Sequence, residues 1–198
     1  MTIIGVDCAV NPKNVGLARG IFGASQTAVT HVKTHSETSP IAESISPWIE
    51  GSDKTLLAFD APLGWPLSLG KVLSRHRAGQ SISVTANRMF RRRTDSLVKE
   101  HIGKLPLDVG ADRIARTALA ALQILEELRE ITGERIPLAW EPDFDSRIAA
   151  IEGNDHALDA VVCILAARDF LKGDAMKPED PDLSRREGWI WIKPIRHR

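Results

Sequence analysis

The chain has 198 residues, of which 43% are hydrophobic and 26% are charged. This composition is typical of a folded domain and excludes the disordered and fibrous classes. The 26 lysine and arginine residues balance 26 aspartate and glutamate residues, so the protein has no net charge that would attract it to nucleic acid or to membranes.

The chain contains two cysteines and no targeting pattern. Cys8 and Cys163 are isolated, which argues against a zinc site and against a disulfide framework. The N-terminus lacks a basic region followed by an apolar run, and no stretch approaches the roughly 20 apolar residues that span a bilayer. We therefore expect a single cytoplasmic domain over residues 1–198, with no membrane partner.

The first elements predict three neighbouring strands. The apolar run Ile3-Ile4-Gly5-Val6 predicts a buried strand that ends at Asp7. Residues 15–22 and 26–33 predict two more strands. Because Gly23-Ala24-Ser25 between them is a hairpin signal, these two strands are expected to run antiparallel.

A helix and a fourth strand follow. Residues 40–50 have helical spacing of isoleucines, which Pro47 interrupts. Leu56-Leu57-Ala58-Phe59 predicts a second buried strand, which again ends at an aspartate, Asp60. The two prolines in residues 61–66 predict a rigid loop after it.

The second half of the chain is richer in helix. Residues 112–131 predict an amphipathic helix, residues 136–140 a short fifth strand, and residues 155–171 a buried helix that is apolar nearly all round. Residues 172–187 are polar and predict a loop, and residues 189–192 predict a terminal strand. This order predicts an α/β fold with a mixed sheet and helices on its faces.

Two of the predicted strands end in the same way. Asp7 and Asp60 each follow a buried apolar strand and precede a small residue. Central strands that end in this way place their side chains near one edge of the sheet, where α/β proteins bind ligands. Each aspartate alone could equally cap a turn or a helix. The pair together favours a functional site.

A third aspartate lies in the predicted buried helix. Asp159 has apolar neighbours on both sides, and a buried carboxylate is costly unless it is paired or binds a metal ion. Asp155 and His156 lie four and three residues earlier, so they share its helix face, although Asp155 could instead be the N-cap and His156 a polar residue at the helix start. Converging carboxylates of this kind suit Mg²⁺ or Mn²⁺.

A basic segment lies between these acidic residues. Residues 71–104 contain nine lysine and arginine residues against two acidic residues. Arg88, Arg91, Arg92 and Arg93 are the candidates for phosphate contacts with DNA or RNA. The alternative is a solvated helix face, and three consecutive arginines cannot all point one way on a helix.

Six short stretches stand out when they are taken in order along the chain. They are Gly5-Val6-Asp7, Phe59-Asp60-Ala61-Pro62-Leu63-Gly64, Phe90-Arg91-Arg92-Arg93-Thr94-Asp95, Pro106-Leu107-Asp108-Val109-Gly110-Ala111-Asp112-Arg113-Ile114, Asp155-His156-Ala157-Leu158-Asp159-Ala160 and Arg186-Glu187-Gly188-Trp189-Ile190. Together they resemble the DUF429 family of predicted nucleases with a ribonuclease-H-like fold. Because the stretches are scattered from end to end, the resemblance covers almost the whole chain.

The resemblance implies a five-stranded sheet of order 3-2-1-4-5 with helices on both sides. It also implies that Asp7, Asp60 and Asp159 are metal ligands. The spacing of His156 and Asp159 is similar to the helix motif of RuvC-type resolvases, which makes His156 a further candidate catalytic residue. If the prolines are aligned, the family's glutamate after the fifth strand falls on Ala139 here, and either Glu141 substitutes for it or the element is lost.

These observations predict a divalent-metal-dependent nuclease or phosphodiesterase, with Mg²⁺ or Mn²⁺ held by Asp7, Asp60, Asp159 and Asp155. One alternative is a catalytically inactive ribonuclease-H-like domain that binds nucleic acid or a protein. An ATP-dependent phosphotransferase of the same superfold is less consistent with a chain of this length that lacks glycine-rich phosphate loops. Nucleic acid and a second copy of the chain are the partners to test.

Overall fold

The structure is a computed structural model that describes residues 1–35, 38–110, 112–141, 147–152 and 159–194. Its centre is a five-stranded sheet of order β3-β2-β1-β4-β5. The strands are β1 (Thr2–Asp7), β2 (Gly16–Phe22), β3 (Thr27–Thr34), β4 (Thr55–Asp60) and β5 (Ile148–Glu152). The mixed α/β fold and the strand order expected from the sequence are therefore confirmed.

The pairing of the strands explains why the sheet is mixed. β1 pairs antiparallel with β2, which pairs antiparallel with β3. On its other side β1 pairs parallel with β4, and β4 pairs parallel with β5. The strands β1, β4 and β5 are buried along nearly their whole length, as expected of parallel strands that are covered on both faces.

Seven α-helices are described, and they lie on both sides of the sheet. They are α1 (Ile41–Glu50), α2 (Leu67–Leu73), α3 (Ala86–Phe90), α4 (Arg93–Ile102), α5 (Asp112–Thr132), α6 (Asp159–Leu171) and α7 (Pro181–Glu187). α6 packs on β1, β2 and β4, whereas α1 packs against β1 and against α5. Among the described residues, no helix is both long enough and apolar enough to cross a membrane.

Pro47 lies inside α1 without ending it. A proline has no N–H to donate to the carbonyl of the residue four positions earlier, which here is Glu43. The hydroxyl of Ser46 donates to that carbonyl at 3.4 Å instead. The serine beside the proline therefore supplies a partner for the carbonyl group that the proline leaves without its usual donor.

The position of the fifth strand differs from the sequence prediction. The strand predicted over residues 136–140 is wrong, because there the chain forms only an isolated bridge between Leu138 and Ala150. Pro137 within that run removes one backbone donor, which disfavours a regular strand. The fifth strand lies instead at Ile148–Glu152, where two alanines with low strand propensity obscured it.

Two predictions near the C-terminus are also wrong. The segment predicted as a loop over residues 172–187 contains α7, whose first residue is Pro181. The side chain of Asp180 caps this helix by accepting a hydrogen bond from the Leu183 N–H at 2.9 Å. The predicted terminal strand over residues 189–192 forms only one bridge, between Ile190 and Glu152.

Gly5 allows α6 to approach β1 unusually closely. A Cβ atom on Gly5 would lie 1.9 Å from the carbonyl oxygen of Ala160. We expect Gly5→Ala to lower the free energy of unfolding by about 1–3 kcal/mol, because α6 must move away from the sheet. Gly70→Ala in α2 is the matched control, since no atom lies within 4 Å of its Cβ position and alanine favours a helix. Urea denaturation of both variants measures the difference, and equal stability would contradict the close packing.

Candidate functional site

The carboxylates of Asp7 and Asp60 meet at one edge of the sheet. Each is the last residue of its strand, and the two residues are direct partners in the parallel register of β1 and β4. Neighbouring strands lie about 4.8 Å apart, and residues in register point to the same face of the sheet. Both side chains are partly exposed. The edge therefore presents two neighbouring carboxylates that solvent can reach.

The first turn of α6 lies beside the Asp7 carboxylate. A Cβ atom on Gly16, the partner of Asp7 in β2, would lie 3.4 Å from Asp7 Oδ2 and 3.7 Å from the Cβ of Ala160. Gly16 thus leaves open the space between the carboxylate and the helix. Since α6 begins at Asp159, the backbone of the third candidate aspartate starts its helix at this edge.

The remaining candidates of this site come from the segment before α6 and from its first residue. Asp155 and His156 lie outside the described residues, as does the side chain of Asp159. Among the side chains that are described, no group of three histidine, cysteine, aspartate or glutamate residues is placed to hold a metal ion. The described part of the site therefore consists of two carboxylates, Asp7 and Asp60.

The two cysteines lie close to these carboxylates and are buried. The thiols of Cys8 and Cys163 both contact the carbonyl oxygen of Val6, at 3.8 and 3.9 Å. Burial raises the pKa of each thiol well above its usual value, and the negative charges of Asp60 and Asp7 raise it further. Both cysteines therefore stay protonated near neutral pH, which makes them poor nucleophiles and poor metal ligands.

A buried glutamate that the sequence analysis missed lies at the end of the third parallel strand. Glu152 ends β5 and is only 2% exposed. The guanidinium of Arg92 donates to both of its carboxylate oxygens at 2.7 Å, and it also donates to Asp95 Oδ1 at 2.9 Å. Because all three side chains are buried, this is a charged cluster within the protein core.

The two carboxylates of this cluster stabilise the charged form of Arg92. Burial alone would lower the pKa of the Arg92 guanidinium, but the carboxylates of Glu152 and Asp95 more than offset this effect and raise it. Burial raises the pKa of Glu152, and the charge and hydrogen bonds of Arg92 oppose this shift only in part. Each carboxylate also accepts a hydrogen bond from a backbone N–H: that of Leu63 for Glu152 and that of Arg92 for Asp95. These bonds satisfy groups that would otherwise be costly to bury.

Glu152 of this cluster and Glu187 of α7 hold the loop that follows Asp60. The Leu63 N–H donates to Glu152 Oε2 at 3.1 Å, and the Leu67 N–H donates to Glu187 Oε1 at 2.7 Å. Gly64 lies so close to α7 that a Cβ atom would be 2.6 Å from the carbonyl carbon of Glu187. Two buried glutamates thus fix the loop at both ends, next to the carboxylate site.

Several residues of the six stretches named in the sequence analysis have structural roles in or near this cluster. Arg92 and Asp95 belong to the stretch that begins at Phe90, and Glu187 belongs to the stretch that begins at Arg186. The Oε2 atom of Glu187 accepts a hydrogen bond from the Arg93 N–H at 2.8 Å. The hydroxyl of Thr94 accepts from the Ile190 N–H at 2.9 Å. These contacts join the start of α4 to the chain after α7, so the two stretches stabilise the fold around the site.

The four arginines predicted to contact nucleic acid differ in their environments. Arg92 is 2% exposed and bound to carboxylates, so it is removed from the predicted contact surface. Arg91 forms an ion pair with Asp108 at 3.0 Å, and Arg93 forms partly exposed ion pairs with acidic side chains of α4 and of the segment before α7. Arg88 is exposed.

Glu141 does not lie at the end of the fifth strand. Its carboxylate accepts from Arg135 at 2.8 Å and from the Leu138 N–H at 3.2 Å, so it stabilises a local turn. Glu152 is the acidic residue that ends β5. The sequence did contain a signal for it, because Ile148-Ala149-Ala150-Ile151-Glu152 repeats the pattern of an apolar run ending in an acid that marks Asp7 and Asp60.

Comparisons of the chain with protein-family models, with curated proteins and with solved structures find no match. The resemblance to the DUF429 family therefore stays a prediction from the six sequence stretches. The fold and the geometry of the sheet edge carry the functional argument.

Proposed function

We propose that this protein hydrolyses phosphodiester bonds in nucleic acid, with a divalent metal ion held by Asp7 and Asp60. The observation that carries the proposal is the register of these two residues at the ends of adjacent parallel strands. Asp159, at the start of α6, is the proposed third ligand, and Asp155 and His156 are the further candidates from the same segment.

The donor chemistry fits the proposed metal. Carboxylate oxygens are hard ligands, which Mg²⁺ and Mn²⁺ prefer, and the neighbouring thiols are held protonated by burial. Asp7 and Asp60 are partly exposed, so a hydrated cation and a phosphate can approach them. When bound, such an ion activates a water molecule and offsets the charge that develops on the phosphate.

The protein's own residues would orient the reacting groups. Asp7 and Asp60 end two paired strands whose other residues are buried, so the sheet fixes the positions of both aspartates. Glu152 and Glu187 hold the loop after Asp60 in one conformation. A rigid site of this kind favours catalysis, because hydrolysis depends on placing an attacking water and a phosphate in line.

The direct test is a hydrolysis assay with labelled single-stranded and duplex DNA and RNA. We expect cleavage with Mn²⁺ or Mg²⁺, no cleavage after chelation by EDTA, and recovery when the metal is restored. Cleavage that persists in EDTA would contradict a metal-dependent reaction. A lack of cleavage of every substrate under all metal conditions would contradict the proposed activity on nucleic acid.

A further inference from the structure

The segment that follows Asp60 carries an unbalanced positive charge. Residues 61–94 contain seven lysine or arginine residues and no aspartate or glutamate. Three of the seven, Arg91, Arg92 and Arg93, bind carboxylates from other parts of the chain. Their charges are therefore at least partly neutralised within the fold.

The other four cations form an exposed basic surface, which consists of Lys71, Arg75, Arg77 and Arg88. None of the four makes an ion pair with any residue that the structure describes. Lys71 lies in α2 and Arg88 in α3, and these two helices pack against each other. Arg75 and Arg77 lie in the chain that joins these two helices, so the four charges belong to one continuous segment of a protein of zero net charge.

An aromatic ring lies next to this surface. Trp65, Lys71 and Arg186 line one open groove of about 460 Å³ between α2 and α7. Trp65 belongs to the rigid loop that starts at Asp60, so the groove lies along the chain that leads directly away from the carboxylate site. An indole ring flanked by cations can stack on a base while the cations contact the adjoining phosphates.

We infer that the basic surface and the Trp65 groove bind single-stranded nucleic acid and lead it to the carboxylates. The role assigned to this binding rests on the proposed function, but the binding itself requires no metal. A single strand fits better than a duplex, because the faces of its bases are accessible to Trp65. Lys71 and Arg186 would contact phosphates on either side of the stacked base.

Fluorescence anisotropy of a labelled oligothymidylate of about 20 nucleotides, in EDTA, tests this inference. Replacing all four residues of the basic surface by glutamine is expected to weaken binding by about tenfold or more, and to reduce the slope of log K against log salt by about 0.7 for each lost phosphate contact. Trp65→Ala is expected to weaken binding by about tenfold with an unchanged salt slope, because stacking releases no counterions.

The control variant replaces four other exposed basic residues by glutamine, namely Lys104, Arg113, Lys172 and Lys177. It therefore loses the same amount of charge. We expect it to bind the oligonucleotide with nearly wild-type affinity and salt slope. Three results would each overturn the inference: an equal loss of affinity in the basic-surface and control variants, normal binding by the basic-surface variant, or tighter binding of a duplex than of a single strand.

The result of this binding test can be distinguished from the result of the hydrolysis assay. The binding is measured in EDTA, so it does not depend on the proposed metal site, whereas the proposed hydrolysis does. Binding without hydrolysis would refute the proposed function and support the inference. Hydrolysis with unimpaired binding by the basic-surface variant would refute the inference alone.

Discussion

Replacing Arg92 by methionine is expected to lower the free energy of unfolding by about 3–5 kcal/mol. The guanidinium neutralises two carboxylates, those of Glu152 and Asp95, and all three side chains are at most 2% exposed. Methionine keeps much of the volume but removes the charge and the donors. The carboxylates of Glu152 and Asp95 then remain in the core without a cation, and keeping them charged or protonating them both cost free energy.

Arg91→Met provides a matched control one residue away. Arg91 also forms an ion pair, with Asp108 at 3.0 Å, but its side chain is 25% exposed and that of Asp108 is 39% exposed. Solvent screens such a pair, and its loss should lower stability by less than about 1 kcal/mol. Urea denaturation of the two variants measures both values. Similar losses would show that the Arg92 cluster does not stabilise the fold in the way that its geometry indicates.

Asp7→Asn is expected to reduce the rate of hydrolysis by about a thousandfold, since a metal ion contributes several kcal/mol to the stabilisation of the transition state. Asparagine has nearly the same shape and retains one oxygen, but it lacks the charge that binds a divalent cation. Asp60→Asn should behave in the same way, because the two residues are partners in register.

Asp53→Asn is the control for this loss of activity. Asp53 is exposed and lies two residues before β4 begins, so it lies at the opposite edge of the sheet from Asp60. We expect its variant to retain full activity. Because Asp7 also interacts with other residues in the fold, urea denaturation must show that Asp7→Asn remains folded at the assay temperature. Full activity in a folded Asp7→Asn protein would contradict its role as a ligand.

The sequence predicted the central part of this fold well, for a clear physical reason. The strands β1 and β4 are apolar runs of high strand propensity that end in a charged residue, and this pattern is visible without any tertiary context. The hairpin of β2 and β3 could also be predicted from a short stretch of sequence, because its turn residues identify it. Asp7 and Asp60 could be predicted as neighbours for the same reason.

The elements that were missed depend on contacts between distant parts of the chain. β5 contains two alanines, and it is recognisable as a strand only through its pairing with β4. Arg92 looked like its neighbours Arg91 and Arg93 in the sequence, yet it is the one whose side chain turns into the core to reach Glu152, sixty residues later. A local pattern cannot distinguish a buried arginine from a solvated one when the partner is so distant.

A calorimetric titration of the wild-type protein, Asp7→Asn, Asp60→Asn and Asp53→Asn with Mn²⁺ shows directly whether the two aspartates hold a metal ion. We expect the wild type and Asp53→Asn to bind Mn²⁺ below millimolar concentration, and we expect Asp7→Asn and Asp60→Asn each to lose this binding while remaining folded. If the wild type shows no binding at millimolar Mn²⁺, or if the Asp7 and Asp60 variants bind it as the wild type does, the two aspartates do not form a metal site.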